Sequence, residues 1–471
     1  MKELLVIYDD SRRPDPEICS ITGRKSYGNI IFKRQSLKQR ARERLAGLDG
    51  VYAFIGTDDT DDMDGHASLK DMPVFKMYSD HEAVDIPAVG ILFEKALYIK
   101  ENYSIECSGR IAAVMYPSYT AYTEQKDKQQ EEDYERIVSE AFVSLADANN
   151  FRTFITSGFD ARFFNALSGD EYTVVKSSDN VDKLRREYKY FTLLPPAMKQ
   201  WYGTVFDYKE EGNRASYSIE RYHMTDLALR YVHGAIGEDE FRDICRVLFH
   251  FISIRQVKQV TDEEYDNNAS SLYIDKVDER IRQLKDLGGY ERIRDYIATG
   301  TEYEDIDDII ARYKKLYQRI TQGRSFKKIL TVAHGDLCFS NILYNHDVSL
   351  LKLIDPKGAE TEDELYMNPY YDIAKLSHSI CGSYDYFNSD QYEISMDNDM
   401  KLRLTVDSDN DRYIKIFREY LINNSIDPVL IRLYETSLFL SMLPLHMDRE
   451  KKVLGFILNA VSIMDELEQN T

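Results

Sequence analysis

Three side chains that carry oxygen atoms stand close together between residues 332 and 358. The stretch VAHGDLCFSNILYN contains Asp336 and Asn341, and the apolar run LLKLI after it ends at Asp355. A polar loop between apolar segments predicts short buried strands that deliver these groups to one cleft. Carboxylate and amide oxygens suit Mg²⁺, and a second carboxylate can take a proton from a hydroxyl. The stretch therefore favours phosphoryl transfer, with Asp336 as the base and Asn341 and Asp355 on the metal.

The two motifs of this stretch also resemble a known family. His-Gly-Asp, four residues and then Asn341, followed by Ile-Asp-Pro-Lys-Gly, is similar to the signature of the aminoglycoside phosphotransferase and choline kinase superfamily of protein-kinase-like enzymes. The resemblance supports Asp336 as the catalytic base, with Asn341 and Asp355 as magnesium ligands and ATP as the donor. It also implies that His334 braces the catalytic loop. Asp372, in NPYYDIAKLSHSI, is implied to anchor the same loop.

A kinase of this type also needs a nucleotide site upstream of the catalytic loop. The segment TSGFDARFFNALSGDEYTVVKSS predicts a hairpin with a second turn at Ser168-Gly169 and a strand that ends in Lys176. The resemblance implies that Lys176 binds the α- and β-phosphates and pairs with Glu187, which lies in a predicted helix over 181–193. The other predicted nucleotide contacts are Ser157, Gly158, Phe159 and Arg162 in the phosphate-covering loop, and Glu220 and Tyr222 at the adenine-binding hinge.

Strand-rich and helical segments follow one another in a way that predicts an α+β protein. Residues 1–125 contain short apolar runs and one helical candidate, so they predict a small α/β domain of unassigned role. The polar run at 123–133 marks the boundary, and the spacing of apolar residues over 134–145 predicts an amphipathic helix. Residues 126–222 should then form a helix and a small β-rich lobe, and residues 223–471 a large helical lobe. This is the two-lobed layout of the protein-kinase-like fold.

Composition and charge limit the partners and the compartment. The net charge of -21 repels phosphate backbones and anionic membranes, so nucleic acid is not an expected partner. The acidic excess suits a cationic acceptor, and a sugar is equally open. The five cysteines are scattered without a CxxC pair, which fits a reducing compartment. No apolar run is long enough for a signal peptide or a membrane span, so we expect a cytoplasmic protein.

The sequence thus predicts a small-molecule kinase that moves the γ-phosphate of ATP to a hydroxyl. The acceptor can be a sugar, an amino alcohol or an aminoglycoside, and the oligomeric state is open. The combination of HGDLxxSNILY, IDPKG and YYDIAKLSHS also resembles kinase-like proteins of bacterial capsule and surface-polysaccharide biosynthesis. The alternative is a pseudokinase or a nucleotide-binding regulatory module, because the predicted phosphate-covering loop has one glycine where protein kinases have three.

Overall fold

The computed structural model describes residues 3–23, 25–32, 35–45, 48, 51–56, 69–125, 134–156, 165–170 and 172–469. Contacts within the chain define two compact units. The first comprises Met1–Asp160 and His233–Ala235, and the second comprises Ala161–Val232 and Ile236–Thr471. Each unit combines strands and helices, so the architecture is mixed α/β.

The first unit is organised around a six-stranded sheet. The strands of the whole first unit are β1 (Leu4–Asp9), β2 (Ile31–Phe32), β3 (Gln35–Ser36), β4 (Val51–Gly56), β5 (Val74–Tyr78), β6 (His81–Ala83), β7 (Tyr103–Cys107), β8 (Arg110–Tyr116), β9 (Glu135–Val138) and β10 (Phe142–Ser144). Its helices are α1 (Pro16–Thr22), α2 (Leu37–Leu45), α3 (Ile86–Ala96), α4 (Tyr119–Gln125) and α5 (Ala148–Thr156). The sheet has the order β4-β1-β5-β8-β7-β9.

The central strands of this sheet are covered on both faces. Every residue of β1 is buried, and β1 pairs in parallel with β4 and with β5. A continuous apolar run such as LLVIY is typical of a strand whose two faces both pack against other elements. The predicted α/β character of residues 1–125 agrees with this arrangement.

Residues 134–145 form strands, so the helix predicted there is wrong. β9 pairs in parallel with β7, and β10 pairs antiparallel with β6. Strand pairing with the rest of the unit overrides the helical spacing of the apolar residues. The first unit extends to Asp160, whereas the polar run placed the boundary at residue 125.

The second unit contains the remaining strands and helices. Its strands are β11 (Asn165–Gly169), β12 (Thr173–Ser178), β13 (Val205–Glu211), β14 (Arg214–Glu220), β15 (Thr225–Asp226), β16 (Val257–Gln259), β17 (Ile329–Val332), β18 (Ile342–Asn345), β19 (Leu350–Leu353), β20 (Tyr366–Met367), β21 (Tyr392–Met396) and β22 (Leu402–Val406). Its helices are α6 (Val181–Leu193), α7 (Pro196–Lys199), α8 (Leu227–Val232), α9 (Glu238–Ile254), α10 (Asp262–Ser270), α11 (Lys276–Lys285), α12 (Tyr290–Gly300), α13 (Ile306–Thr321), α14 (Tyr371–Ile380), α15 (Tyr384–Asn388), α16 (Asp411–Asn423), α17 (Pro428–Met442) and α18 (Glu450–Gln469).

A four-stranded antiparallel sheet opens the second unit. Its order is β11-β12-β14-β13, and buried residues of α6 pack against it. The predicted helix over 181–193 is confirmed by α6. The hairpin turn lies later than predicted: Ser168 and Gly169 belong to β11, and the Asp170 carboxylate accepts a hydrogen bond from the Thr173 N–H at 2.8 Å. β12 then continues past Lys176 to Ser178.

The rest of the second unit is mostly helical, as the apolar periodicity predicted. The long helices of this part are α9, α11, α13, α16, α17 and α18, which agrees with the helical character expected for residues 223–471. A π-helical turn at Ser271–Asp275 joins α10 to α11. Among the helices that the structure describes, none has the length and apolar character needed to cross a bilayer.

Candidate functional site

The loop between β17 and β18, residues 333–341, is held at its entry by one buried carboxylate. Asp372 is fully buried, and its two oxygens accept hydrogen bonds from the backbone N–H groups of His334 at 3.0 Å and Gly335 at 2.8 Å. Arg255 Nη1 lies 3.0 Å from Asp372 Oδ2. A buried charge persists only with such a partner and such hydrogen bonds. The start of the loop is therefore fixed in position.

The imidazole of His334 ties the same loop to the end of β19. Its Nε2 lies 2.8 Å from the carbonyl oxygen of Ile354, and its Nδ1 accepts a hydrogen bond from the Asp336 N–H at 3.2 Å. Burial lowers the pKa of His334, so the ring is neutral and donates through Nε2. Because Ile354 precedes Asp355, the histidine connects the loop that contains Asp336 to the strand end that contains Asp355.

The carboxylate of Asp336 contacts Lys375 and Asn341. Lys375 Nζ lies 2.8 Å from Asp336 Oδ1. Asn341 donates from Nδ2 to Asp336 Oδ2 at 3.2 Å and to the Asp336 carbonyl oxygen at 2.8 Å. The Asp336 side chain is 35% exposed, so a ligand can reach it. Since Asn341 uses its nitrogen here, its side-chain oxygen is available as a ligand.

A lysine from the small sheet joins two carboxylates that lie far apart in sequence. Lys176 Nζ on β12 lies 2.6 Å from Glu187 Oε2 on α6 and 2.9 Å from Asp355 Oδ1, which is 179 residues away along the chain. Lys176 and Glu187 are 5% and 3% exposed, whereas the Asp355 side chain is 54% exposed. The structure therefore brings together three residues that the sequence assigned to one nucleotide and metal site.

Asp355 has a backbone conformation that few residues adopt. Its φ of 55° lies in the left-handed region, where a residue other than glycine costs about 1 to 3 kcal/mol. Gly358 follows with a φ of 88°, and an added Cβ there would lie 3.0 Å from the backbone nitrogen of Glu187. The backbone N–H of Ala359 then donates to the Arg186 carbonyl oxygen at 2.9 Å. These contacts hold the segment after Asp355 against α6.

The charges of Lys176, Asp355 and Glu187 shift one another's pKa values. Burial opposes the charge of Lys176, but attraction from Asp355, Tyr217 and Glu187 raises the pKa of this lysine well above its ordinary value. Desolvation also opposes ionisation of Asp355, and the charge and hydrogen bond of Lys176 outweigh it, so the pKa of Asp355 is lowered. For Glu187, burial is not fully offset by Lys176 and the pKa is raised. Asp355 is thus the strongly ionised carboxylate of the three groups.

The two predicted hinge residues lie together where β14 ends. The Tyr222 hydroxyl donates to Glu220 Oε2 at 2.8 Å, and this hydrogen bond lowers the pKa of Glu220. Burial raises the pKa of Tyr222 to about 12. The Glu220 N–H donates to the Thr204 carbonyl oxygen at 2.9 Å. Of the remaining predicted contacts, Ser157, Gly158, Phe159 and Arg162 lie outside the described residues.

Helix α14 supplies two site residues that the sequence analysis did not identify. Besides Asp372, the helix presents Lys375 to Asp336, and Ser379 Oγ accepts a hydrogen bond from the Phe339 N–H at 3.0 Å. Residues at i, i+3 and i+7 lie on one helical face. That spacing, counted from Asp372, is the signal that could have identified Lys375 and Ser379. Arg255 carried no comparable signal.

The oxygen donors of this site fit a magnesium ion. Asp355 offers an exposed carboxylate, and Asn341 offers an amide oxygen. Mg²⁺ takes few protein ligands and keeps several waters, so two such groups beside bound phosphates are sufficient. Within the described ranges, no group of three or more His, Cys, Asp or Glu side chains could hold a metal ion. A carboxylate and an amide oxygen are among the ligand types that Mg²⁺ prefers.

Comparisons with known proteins find similarity among solved structures. No protein-family model matches the chain, and no curated protein matches it. The chain is similar to a thermostable mutant of aminoglycoside phosphotransferase APH(4)-Ia in a ternary complex with AMP-PNP and hygromycin B. The identity is 10% and the TM-score 0.38, over 68% of this chain and 99% of that chain.

Two further crystal structures are of the same class. Spectinomycin phosphotransferase APH(9)-Ia, in complex with ADP and spectinomycin, has 11% identity and a TM-score of 0.37 over 66% of this chain and 91% of its own. An aminoglycoside-3'-phosphotransferase of type VIII has 13% identity and a TM-score of 0.33 over 59% of this chain and 93% of its own.

Proposed function

We propose that the second unit is an ATP- and Mg²⁺-dependent phosphotransferase with a two-lobed, protein-kinase-like layout, and that it moves the γ-phosphate to a hydroxyl of a small molecule. The observation that carries the proposal is the position of Lys176 Nζ between Glu187 and Asp355. A buried lysine held by a helix glutamate is the group that binds nucleotide phosphates in kinases. Asp336 and Asn341 lie in the loop that His334 ties to the same strand end.

Each residue has a role that follows from its contacts. The charge of Lys176 binds the phosphates, and Glu187 keeps that ammonium in place. Asp355 and Asn341 provide the oxygen ligands for Mg²⁺, which when bound neutralises charge on the β- and γ-phosphates. Asp336 orients the acceptor hydroxyl and accepts its proton. Hydrogen bonds from Lys375 and Asn341 hold the Asp336 carboxylate in a single orientation.

The other predicted residues have supporting roles in this proposal. Asp372 anchors the catalytic loop, and His334 connects this loop to Ile354 after β19. Glu220 and Tyr222 border the adenine, and the assignment of Ser157, Gly158, Phe159 and Arg162 to a phosphate-covering loop stays a prediction from the sequence. A capsule or surface-polysaccharide pathway is the biological setting that the motifs suggest. The first unit has no assigned role.

The proposal is tested by transfer of phosphate from ATP to a panel of sugars, amino alcohols and aminoglycosides. We expect Asp336→Ala to lower turnover by at least about a thousandfold while nucleotide still binds. Asp355→Ala should remove the magnesium dependence of nucleotide affinity. Turnover of Asp336→Ala within a few-fold of the parent would show that the residue is not the base. Nucleotide binding by the parent without turnover on any acceptor would favour the pseudokinase alternative.

A further inference from the structure

The charges of three lysines act on Tyr371, the first residue of α14, and we call these lysines the lysine cluster: Lys276, Lys357 and Lys375. Two of them are close to the hydroxyl of Tyr371. Lys276 Nζ donates a hydrogen bond to this hydroxyl at 3.0 Å and lies 5.5 Å from the ring centroid. Lys375 follows Tyr371 by one turn of α14, and its Nζ lies 2.8 Å from Asp336 Oδ1. The cluster therefore extends from the proposed catalytic carboxylate.

Lys357 reaches the same region from the segment after the metal ligand. Its backbone N–H donates to the His334 carbonyl oxygen at 2.9 Å. A Cβ added to Gly335 would lie 2.6 Å from Lys357 Cβ and 3.2 Å from its Cδ, so the aliphatic part of the lysine lies on the catalytic loop. The residue is exposed. Glu364, whose charge acts on Lys357, is bound by Arg186 at 2.5 Å.

The combined charge of the cluster acts on Tyr371. Burial raises the pKa of this phenol, but the charges of Lys276, Lys375 and Lys357 and the hydrogen bond from Lys276 outweigh burial, and the pKa is lowered. Other buried tyrosines, such as Tyr190, have raised pKa values instead. The lysines thus give the surroundings of the Tyr371 hydroxyl a positive charge, although the whole chain carries a net charge of -21.

Two members of the cluster lack the partners that lysines elsewhere in this unit have. Among the residues that the structure describes, Lys276 and Lys357 form no ion pair with a carboxylate. Lys285, at the other end of α11, binds Asp307 at 2.5 Å. Lys276 and Lys357 therefore contribute two ammonium groups without carboxylate partners, and such a pair of charges attracts an anion.

We infer that the acceptor is a small hydroxyl compound that carries a carboxylate or a phosphate group, and that Lys276 and Lys357 bind this anion. The inference rests on the proposed function of the same site. The local charge would repel the cationic acceptor that the overall acidity suggested, and Lys375 already compensates the charge of Asp336. An anion held by two lysines would fix the acceptor while Asp336 faces its hydroxyl.

The lysines position the acceptor and take no part in the bond changes. The hydroxyl oxygen of the acceptor forms a bond to the γ-phosphorus while the bond from that phosphorus to the β,γ-bridging oxygen breaks. The hydroxyl proton passes to Asp336, and ADP leaves with the electron pair of the broken bond. The product carries the anion of the acceptor and the new phosphate.

The test compares sugars that share one ring and differ in charge. Glucuronate, glucose 6-phosphate, glucose and glucosamine are titrated into the full-length protein saturated with Mg²⁺ and AMP-PNP, and binding is measured by calorimetry. We expect one or both acidic sugars to bind at least about tenfold more tightly than glucose and glucosamine. The two acidic sugars separate carboxylate from phosphate recognition. Equal or tighter binding of glucose or glucosamine, or no binding of either acidic sugar, overturns the inference.

Lysine variants locate the anion site. We expect Lys276→Met and Lys357→Met each to weaken binding of the acidic sugar by about tenfold to a hundredfold, with AMP-PNP affinity unchanged. Lys285→Met, on the same helix, is the control and should change neither affinity. If the variants weaken AMP-PNP and not the sugar, the lysines bind the nucleotide and the inference is wrong. If Asp336-dependent phosphate transfer occurs but shows no preference for acidic sugars, only this inference is wrong. If no Asp336-dependent phosphate transfer occurs, the proposed function is wrong.

Discussion

Lys176 combines a buried ion pair with a proposed role in nucleotide binding. Its ammonium is the charged partner of Glu187, which is 3% exposed. Removing one member of a buried ion pair leaves the other charge without compensation, which costs about 3 to 5 kcal/mol. We therefore expect Lys176→Met to lower the free energy of unfolding of the second unit by about 3 kcal/mol. Urea unfolding followed by the fluorescence of Trp201, the only tryptophan of the chain, measures this change.

A double variant separates the two roles of this lysine. Replacing both partners by apolar residues of similar size is often close to neutral, so Lys176→Met with Glu187→Met should recover most of the lost stability. Binding of Mg-ATP should be lost in both variants, because the phosphates lack their cation. Recovery of nucleotide affinity together with stability would contradict the role given to Lys176.

At the scale of elements, α14 holds the loop over residues 333–341 through hydrogen bonds to its backbone. The fully buried carboxylate of Asp372 accepts hydrogen bonds from the loop backbone and forms an ion pair with the Arg255 guanidinium. Asp372→Asn keeps the size of the side chain but leaves Arg255 without a charged partner. We expect a loss of about 3 kcal/mol in the free energy of unfolding and a loss of turnover larger than the loss of nucleotide affinity.

An exposed aspartate is the matched control for this variant. Asp363 pairs with Lys258 at 2.8 Å, and its side chain is 81% exposed. Exposed ion pairs contribute about 0 to 1 kcal/mol, so Asp363→Asn should leave stability and turnover nearly unchanged. Equal effects of the Asp372 and Asp363 variants in urea unfolding would show that α14 does not hold the loop.

The contrast between local and distant contacts also explains what the sequence could predict. The spacing of Asp336, Asn341 and Asp355 is local, so one stretch of sequence was enough to group them. Lys176 and Glu187 were found because strand and helix patterns flank them, and α6 begins and ends where predicted. Lys375 lies 39 residues beyond Asp336 (375 minus 336), and the one signal for it in the sequence is its position three residues after Asp372. Its role depends on how α14 packs, which the periodicity of that helix alone does not specify.

The error at residues 134–145 has a related cause. Apolar residues in that segment fit a helical period, but the segment is two short strands separated by a turn. Short strands carry too few residues for alternation to be recognised, and their partners, β7 and β6, lie far away in sequence. Strand pairing within the first unit therefore determines the secondary structure of residues 134–145.

At the scale of the whole molecule, buried carboxylates govern how stability depends on pH. Asp385 is 1% exposed, and burial raises its pKa to about 7. The charge of Asp226 also raises the pKa of Asp385. Burial raises the pKa of Asp226 itself to about 6. His334 and His378 have lowered pKa values, again through burial, so they oppose this trend below their ordinary pKa of 6.5. A variant of one carboxylate isolates the contribution of that group to the pH dependence of stability.

Asp385→Asn provides that comparison. The folded protein holds the Asp385 proton up to about pH 7, whereas the unfolded chain loses it near 3.8, so the parent loses stability as pH rises through this window. Asparagine does not ionise, and the variant should gain about 2 to 4 kcal/mol relative to the parent between pH 5 and pH 8. Urea unfolding of the second unit, followed by Trp201 fluorescence at both pH values, measures the gain, with Asp363→Asn as the control that should show none. A constant difference between Asp385→Asn and the parent across this range would mean that Asp385 is ionised in the folded protein and that its charge is compensated there.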